Sequence, residues 1–417
     1  MSILIKNAQV GQERLSIRIE GERISEMGNL SGDAEHIIDA EGMLALPGLV
    51  NCHTHAAMTL LRGFADDMPL QPWLEEKIWP QEAKLTPELV HTGTKLACLE
   101  MIKTGTTTFH DMYFFMEQTA KAVDAMGLRA VLGYGFIDLF DQDKREQEIK
   151  ATMDLVKTIR SMDNSRITPD LAPHALYTVS KEGLQWVREF SDEQDLVVHF
   201  HLSETEHEVQ ECMEKNGKPP IKYLDEIGFL SDKLVAAHCV WLSEPELELM
   251  AKHGATAVHN PVSNMKLSVG EIMPYPQMRR LGINVALGTD GTASNNNLDM
   301  FEEMKFAAVL QKLYNPPTTL PVEEAITMAT WNGAKALNLD SGIIQEGKLA
   351  DIILISKSCP SMTPMHNATS NIVYAGNGCS VDTTICNGRI LMKGGMVEGE
   401  AQIIKEAQEA AVSLVSD

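Results

Sequence analysis

The apolar residues of this chain fall into three regimes. Near the N-terminus they form short strand-like runs: Ile3-Leu4-Ile5, then the alternating Leu15-Ser16-Ile17-Arg18-Ile19, then Arg23-Ile24-Ser25 after a Gly-Glu turn. Near the C-terminus the same grain returns. Ala350-Asp351-Ile352-Ile353-Leu354-Ile355 reads as a strand, and Thr384-Ile385-Cys386 and Arg389-Ile390-Leu391 flank Asn387-Gly388, a strong hairpin turn signal. Both ends are thus β-rich, and the economical arrangement is one small β domain built from both termini. Residues 401–416, rich in Ala, Glu and Lys, predict a closing helix.

Between the ends, apolar runs alternate with amphipathic segments such as Leu89–Lys103, Glu146–Ile159 and Glu244–Lys252. Eight candidate strands end near His53, Asp111, Phe136, His174, His201, His238, Asn260 and Asp290. Eight βα units over this length predict a TIM barrel, (β/α)8, with an appended β-sandwich. A doubly wound open sheet is the rival, but it would not bring the first and eighth strand ends together. The expected division is residues 1–48 and 343–417 in the β domain, the latter with the closing helix, and residues 49–342 in the barrel. The first barrel strand is read from the run Leu44–Val50 that leads into His53-Thr54-His55.

That tripeptide is the most informative feature. On a strand, residues two apart share a face, so both imidazoles can reach one cation, at roughly 2.0–2.1 Å each for zinc. Barrel enzymes place their chemistry at the C-terminal strand ends. Further polar residues close later strands: His201 the fifth, with Ser203-Glu204 behind it, His238 the sixth and Asp290 the eighth. First and eighth strands adjoin in a closed barrel, so Asp290 can share an ion with His53 and His55. Three imidazoles, one carboxylate and room for water suit a catalytic divalent metal, most simply zinc. Cys52 and Cys239 alternate away from these residues and read as barrel-wall packing.

The bulk numbers narrow the partners. A net charge of −23 repels phosphate backbones and anionic membranes, so neither nucleic acid nor membrane is expected. No apolar run approaches the roughly 20 residues that span a bilayer, and the N-terminus lacks a signal-type core. Seven cysteines without a Cys-x-x-Cys predict reduced thiols and a cytoplasmic setting.

Taken together, the motifs resemble the amidohydrolase superfamily and, within it, the deaminases of 5′-methylthioadenosine, S-adenosylhomocysteine and 5′-deoxyadenosine. The resemblance covers essentially the whole chain. It is carried by Pro47-Gly48-Leu49-Val50-Asn51-Cys52-His53-Thr54-His55, Trp73-Leu74-Glu75 with Trp79-Pro80-Gln81-Glu82, Pro173-His174 and His201-Leu202-Ser203-Glu204-Thr205. Gly288-Thr289-Asp290-Gly291, Asn295-Asn296-Asn297-Leu298-Asp299-Met300 and Gly347-Lys348-Leu349-Ala350-Asp351 continue it. The fourth strand, Ile167–His174, carries no Lys to bridge two metals, so the resemblance implies one divalent ion per subunit, zinc first, with iron(II) and manganese(II) also fitting.

The resemblance further implies the roles. His53, His55, His201 and Asp290 would hold the ion. Water activated there would attack C6 of adenine and release ammonia, leaving the inosine analogue. His238 would steady the nucleophile, Glu204 would shuttle the proton to a ring nitrogen, and Asp290 would help pass a proton to the departing amine. Glu82 would accept the ribose hydroxyls, His174 would contact the nucleoside, and Arg145 would meet the carboxylate of S-adenosylhomocysteine. Trp73, Trp79, Met58 and Leu61 are candidates for the adenine and thioether walls. His199 reads as lower barrel core, and His110 and His259 as groups standing behind the ligands. Two other enzymatic readings stay open, deamination of a free base such as guanine and dechlorination of a triazine; Glu82 favours a ribose. A catalytically dead scaffold would be expected to have lost ligands. The resemblance also implies a homo-oligomer.

Overall fold

The computed structural model describes residues 1–416. Eight parallel strands form the barrel: Leu49–Thr54, Thr106–Tyr113, Arg129–Phe136, a fourth in two pieces (Ile167–Pro169 and Ala172–Pro173), Val198–Leu202, Leu234–His238, Thr256–His259 and Val285–Leu287. The first four pair in sequence order, and so do the last four. A parallel bridge from Leu171 to Val198 joins the two halves. The ring closes where Asp290 N–H donates to the His53 carbonyl at 2.9 Å. That bond is the physical form of the expectation that strand ends one and eight meet, and it excludes the open sheet.

The helices follow the sequence periodicity. Leu89–Lys103 lies in a helix spanning Pro87–Lys103, Glu146–Ile159 in Gln142–Ser161, and Glu244–Lys252 in Glu244–His253. The first begins with Thr86 accepting from Leu89 N–H, with Pro87 at the first turn where no donor is missed. Ser243 and Glu246 form a reciprocal capping box on the third.

The two termini share one eight-stranded sheet. Ile352–Ser356 pairs antiparallel with Met43–Pro47 on one side and Val381–Cys386 on the other. The sheet curls until its edge strand, Arg23–Gly28, bridges back to Leu349. Its inner face buries Ile3, Ile5, Ile17, Ile19, Ile352 and Leu354 in a core separate from that of the barrel, which gives the sandwich packing. Asn387 and Gly388 both take positive φ, 51° and 68°, as a type I′ hairpin requires. The closing helix runs Glu400–Val415 and packs on Pro87–Lys103.

One expectation is corrected. Leu44–Val50 is not a single strand: it breaks at Gly48 into Met43–Pro47, in the terminal sheet, and Leu49–Thr54, in the barrel. Gly48 N–H donates to Asp351, and a Cβ at Gly48 would lie 2.1 Å from Thr107 Oγ1. Only a residue without a side chain passes there. Among the described residues no helix is long and apolar enough to cross a membrane, and all seven cysteines are free.

Candidate active site

His53 points into the barrel from the first strand, and His55 follows just beyond that strand's end. Their Nε2 atoms each lie 3.3 Å from Asp290 Oδ1. His201, from the fifth strand, brings its Nε2 to 3.3 Å from His55 Nε2. Donors about 3.3–3.4 Å apart are what a tetrahedral ion with bonds of about 2.0–2.1 Å requires. His53 Nε2 is fully buried and has no hydrogen-bond partner. An orphaned nitrogen in a ring of acceptors fits a cation, so the residues present suit the metal the sequence implies.

The backs of the rings support the same reading. His55 Nδ1–H donates to the Met112 carbonyl at 2.7 Å, and His201 Nδ1–H to the His174 carbonyl at 2.9 Å. Each ring proton is thereby placed on Nδ1, leaving Nε2 free to ligate. Burial drives the His53 pKa down to about 3 and that of His201 well below its usual value, so both rings are neutral. Asp290 stays ionised. Burial pushes its carboxyl up, but His53, His55 and His238 together hold it well below the ordinary range. Its Oδ1 also accepts Gly291 N–H at 2.7 Å, and its Oδ2 accepts Ser263 Oγ at 2.7 Å and Ser294 Oγ at 3.1 Å.

His238, Asp290 and Ser203, the residue before Glu204, sit on unusual backbone. Ser203, His238 and Asp290 have φ of 49°, 71° and 65°. Non-glycine residues held at positive φ concentrate where surrounding structure dictates a side chain's aim. His238 donates Nδ1–H to Asn264 Oδ1 at 2.9 Å and lies 3.7 Å from Glu204 Oε1. Burial opposes its protonation, but Glu204 and Asp290 raise its pKa. Burial raises Glu204, with His238 pulling the other way, which favours a carboxyl able to hold a proton. Below Glu204, Glu208 accepts its backbone N–H at 2.9 Å.

His55, His201, Glu204, His238 and Asp290 all line one cavity. Its walls are largely apolar: Met58, Leu70, Trp73, Leu74, Trp79, Phe114, Ile137 and Leu139. Glu82 lines it from the segment after the first strand, directly behind a single π-helical stretch, Trp73–Ile78. Burial raises the Glu82 carboxyl, opposed by Tyr113. His174 also lines the cavity, with Nδ1 at 2.8 Å from Thr178 Oγ1.

The structure therefore gathers His53, His55, His201, His238, Asp290, Glu204, Glu82 and His174 at one place. Arg145 is not in the cavity lining. Its guanidinium donates to Ser180 Oγ at 3.2 Å. Leu61 is buried in the core, whereas Met58, Trp73 and Trp79 do line the cavity. His199 does more than fill the lower barrel: its Nε2 meets His53 Nδ1 at 2.7 Å. Sequence reasoning passed over Tyr113, Asn264, Ser263 and Glu208. Thr205-x-x-Glu208 has the spacing of a capping box, and that local reading hides the reach of Glu208 back to the backbone of Ser203 and Glu204.

This barrel and site define a metal-dependent hydrolase, and residues 44–391 match the family model described as "Amidohydrolase family". The chain belongs to that family. It is 56% identical over 421 residues to the 5'-deoxyadenosine deaminase of Methanoregula boonei, covering 99% of this chain and 95% of the relative. It is 50% identical to the 5-methylthioadenosine/S-adenosylhomocysteine deaminase of Thermococcus sibiricus, with 94% of each chain covered. Among solved structures, an adenosine deaminase from Xanthomonas campestris with bound zinc superposes with a TM-score of 0.93 at 33% identity, covering 99% of this chain and 98% of that one.

Proposed function

We propose that the protein hydrolytically deaminates adenosine-type nucleosides at adenine C6, giving the inosine analogue and ammonia. The observation that carries this reading is the pairing of Glu204 with His238 beside the four-ligand cage, with Glu82 lining the same largely apolar cavity. His53, His55, His201 and Asp290 would hold a divalent ion, which would supply a nucleophilic water at neutral pH. We take zinc as that ion, one per subunit; iron(II) or manganese(II) suits the same donors.

The chain's own groups do the rest. The apolar walls take the adenine and the 5′ substituent and exclude bulk water. Glu82 accepts the ribose hydroxyls, which fixes the ring's approach, and His174 packs against the nucleoside. As C6 becomes tetrahedral, Glu204 gives its proton to the adjacent ring nitrogen. His238, oriented by Asn264, steadies the attacking oxygen. One proton of the attacking water replenishes Glu204; Asp290 takes the other and passes it to the amino nitrogen, which leaves as ammonia. A free base would leave Glu82 without a partner, which is why guanine ranks below nucleosides. A carboxylic acid next to a departing amine argues for deamination over loss of chloride. Dimers or larger homo-oligomers, a cytoplasmic location, and domain boundaries at 48/49 and 342/343 belong to the same reading.

The test is an ultraviolet assay on metal-loaded protein with 5′-deoxyadenosine, methylthioadenosine, S-adenosylhomocysteine, adenosine and guanine. Conversion of a nucleoside to its hypoxanthine chromophore is expected. In Glu204→Gln protein with full metal content, kcat/KM should fall by about 10²–10⁴. Metal-loaded protein that converts none of the nucleosides would overturn the assignment.

A further inference from the structure

The three histidines of the cage are not backed alike. His55 and His201 donate Nδ1–H to main-chain carbonyls, which can only accept. His53 has no carbonyl behind it. Its Nδ1 lies 2.7 Å from Nε2 of His199, a second imidazole, and both rings are fully buried. A neutral imidazole has one donor and one acceptor nitrogen, so this bond can run in either direction. If His53 donates, its Nε2 keeps a lone pair for the ion. If His199 donates, the proton of His53 sits on Nε2 and that nitrogen is closed to a cation.

What stands around His199 fixes its ring. His110, from the second strand, stacks face to face on it, with centroids 3.8 Å apart and planes at 20°. His110 Nε2 is in turn hydrogen-bonded to Asp170, which sits in the break of the fourth strand. Room for that carboxylate comes from Gly133, where a Cβ would lie 2.3 Å from Asp170 Oδ1. His110, His199 and Asp170 offer ligand atoms within 4.8 Å of one another. They do not make a second cation site, because stacked imidazoles direct their lone pairs along parallel lines and cannot converge on one ion.

We propose that His199, held by the His110–Asp170 pair, is the positioning residue that sets His53 in its metal-binding tautomer, and so governs how tightly and how long the cage keeps its divalent cation. The proposal rests on the cage reading above. It predicts that the lone pair of His199 Nε2 is the acceptor and that the ring proton of His199 lies on Nδ1.

The test uses full-length protein stripped of metal, with Zn2+ affinity and release read against a chromophoric chelator. His199→Phe keeps a planar ring and removes the acceptor; His199→Gln can return a carbonyl oxygen to the position of Nε2. The Phe protein should bind Zn2+ about 10–100-fold more weakly and release it faster, while its metal-free form melts like the parent. The Gln protein should recover most of the lost affinity. Phe protein with parental affinity, or Phe and Gln proteins weakened alike, would overturn the proposal. If the Phe protein does not fold, nitrogen-15 spectra of histidine-labelled, metal-free parent decide: a proton on His53 Nδ1 with a bare His199 Nε2 supports it, and a proton on His199 Nε2 sinks it. A parent that binds no divalent ion would remove the cage itself, a result separable from an unaffected Phe variant.

Discussion

Glu208 holds Glu204 by the backbone. Its two carboxylate oxygens accept the N–H groups of Ser203, at 2.8 Å, and Glu204, at 2.9 Å, so a buried acid one helical turn away fixes the loop that carries the proposed proton shuttle. Burial raises this carboxyl to about 7, against the pull of the two amides. Its folded pKa therefore exceeds the unfolded value of 4.5, and the folded state keeps a proton that the unfolded chain releases between those two values. The resulting stability is complete below pH 4.5 and is lost as pH rises through 7. Glu208→Gln removes that titration. Relative to the parent, the variant should gain on the order of 3 kcal/mol between pH 5 and pH 8, read by denaturant unfolding. It should also lose about 10- to 100-fold in kcat/KM, because one amide oxygen cannot hold both N–H groups in place. An unchanged stability difference across that pH range would refute the assignment.

Gly288 is the point at which the eighth strand leans on the first. A Cβ there would stand 2.8 Å from both the Cβ and the backbone nitrogen of His53. Gly288→Ala should push His53 away from Asp290 and weaken Zn2+ binding by about tenfold or more, by equilibrium dialysis of folded protein. Parental affinity in a correctly folded variant would mean that the closure between these strands tolerates more slack than the contacts imply.

Arg129 opens the third barrel strand, and Asp351 stands at the entry to the returning sheet strand. Their 3.1 Å ion pair is almost fully buried, with Asn387 accepting from the same guanidinium at 2.8 Å. Asp351→Ala leaves a buried positive charge without its counter-charge and should cost about 3–5 kcal/mol. The active site is remote from this pair, so turnover per folded molecule should hold. A loss below 1 kcal/mol would place the clasp between sheet and barrel elsewhere.

The proposed role of Arg145 can be tested by comparing substrates. The cavity lining contains no Lys or Arg, and Arg145, which donates to Ser180 outside that lining, is the cation proposed to meet an extended substrate carboxylate. Arg145→Ala should raise KM for S-adenosylhomocysteine by about tenfold, in line with a lost hydrogen bond to a charged group. It should leave 5′-deoxyadenosine kinetics near the parental values. Equal effects on both substrates would assign Arg145 to holding Ser180 instead.

The parts of this molecule legible in its sequence are those written in short periods. His53 and His55 share a face because a strand repeats every two residues, and His201, His238 and Asp290 mark the ends of apolar runs. The barrel and the pairing of the termini follow from the same grain. What the sequence hides is set by contacts between distant segments. The break at Gly48 depends on Thr107 and Asp351, neither of which any local pattern brings near. Glu208 sits where a capping residue belongs, and its real partners lie upstream of the helix. His199 alternates correctly with His201, yet its bond to His53 joins the fifth strand to the first across the barrel interior.

The sheet order also constrains how the chain must be made. Met43–Pro47 finds its antiparallel neighbour in Ile352–Ser356, and between them lie all eight barrel strands. During synthesis the N-terminal strands emerge first and wait, one edge unpaired, until the whole barrel has left the ribosome. An unpaired edge is a template for association with other chains. Ending translation before residue 350 would thus yield a sticky half-sheet fused to a barrel, so the last sixth of the chain acts as the stopper on its first.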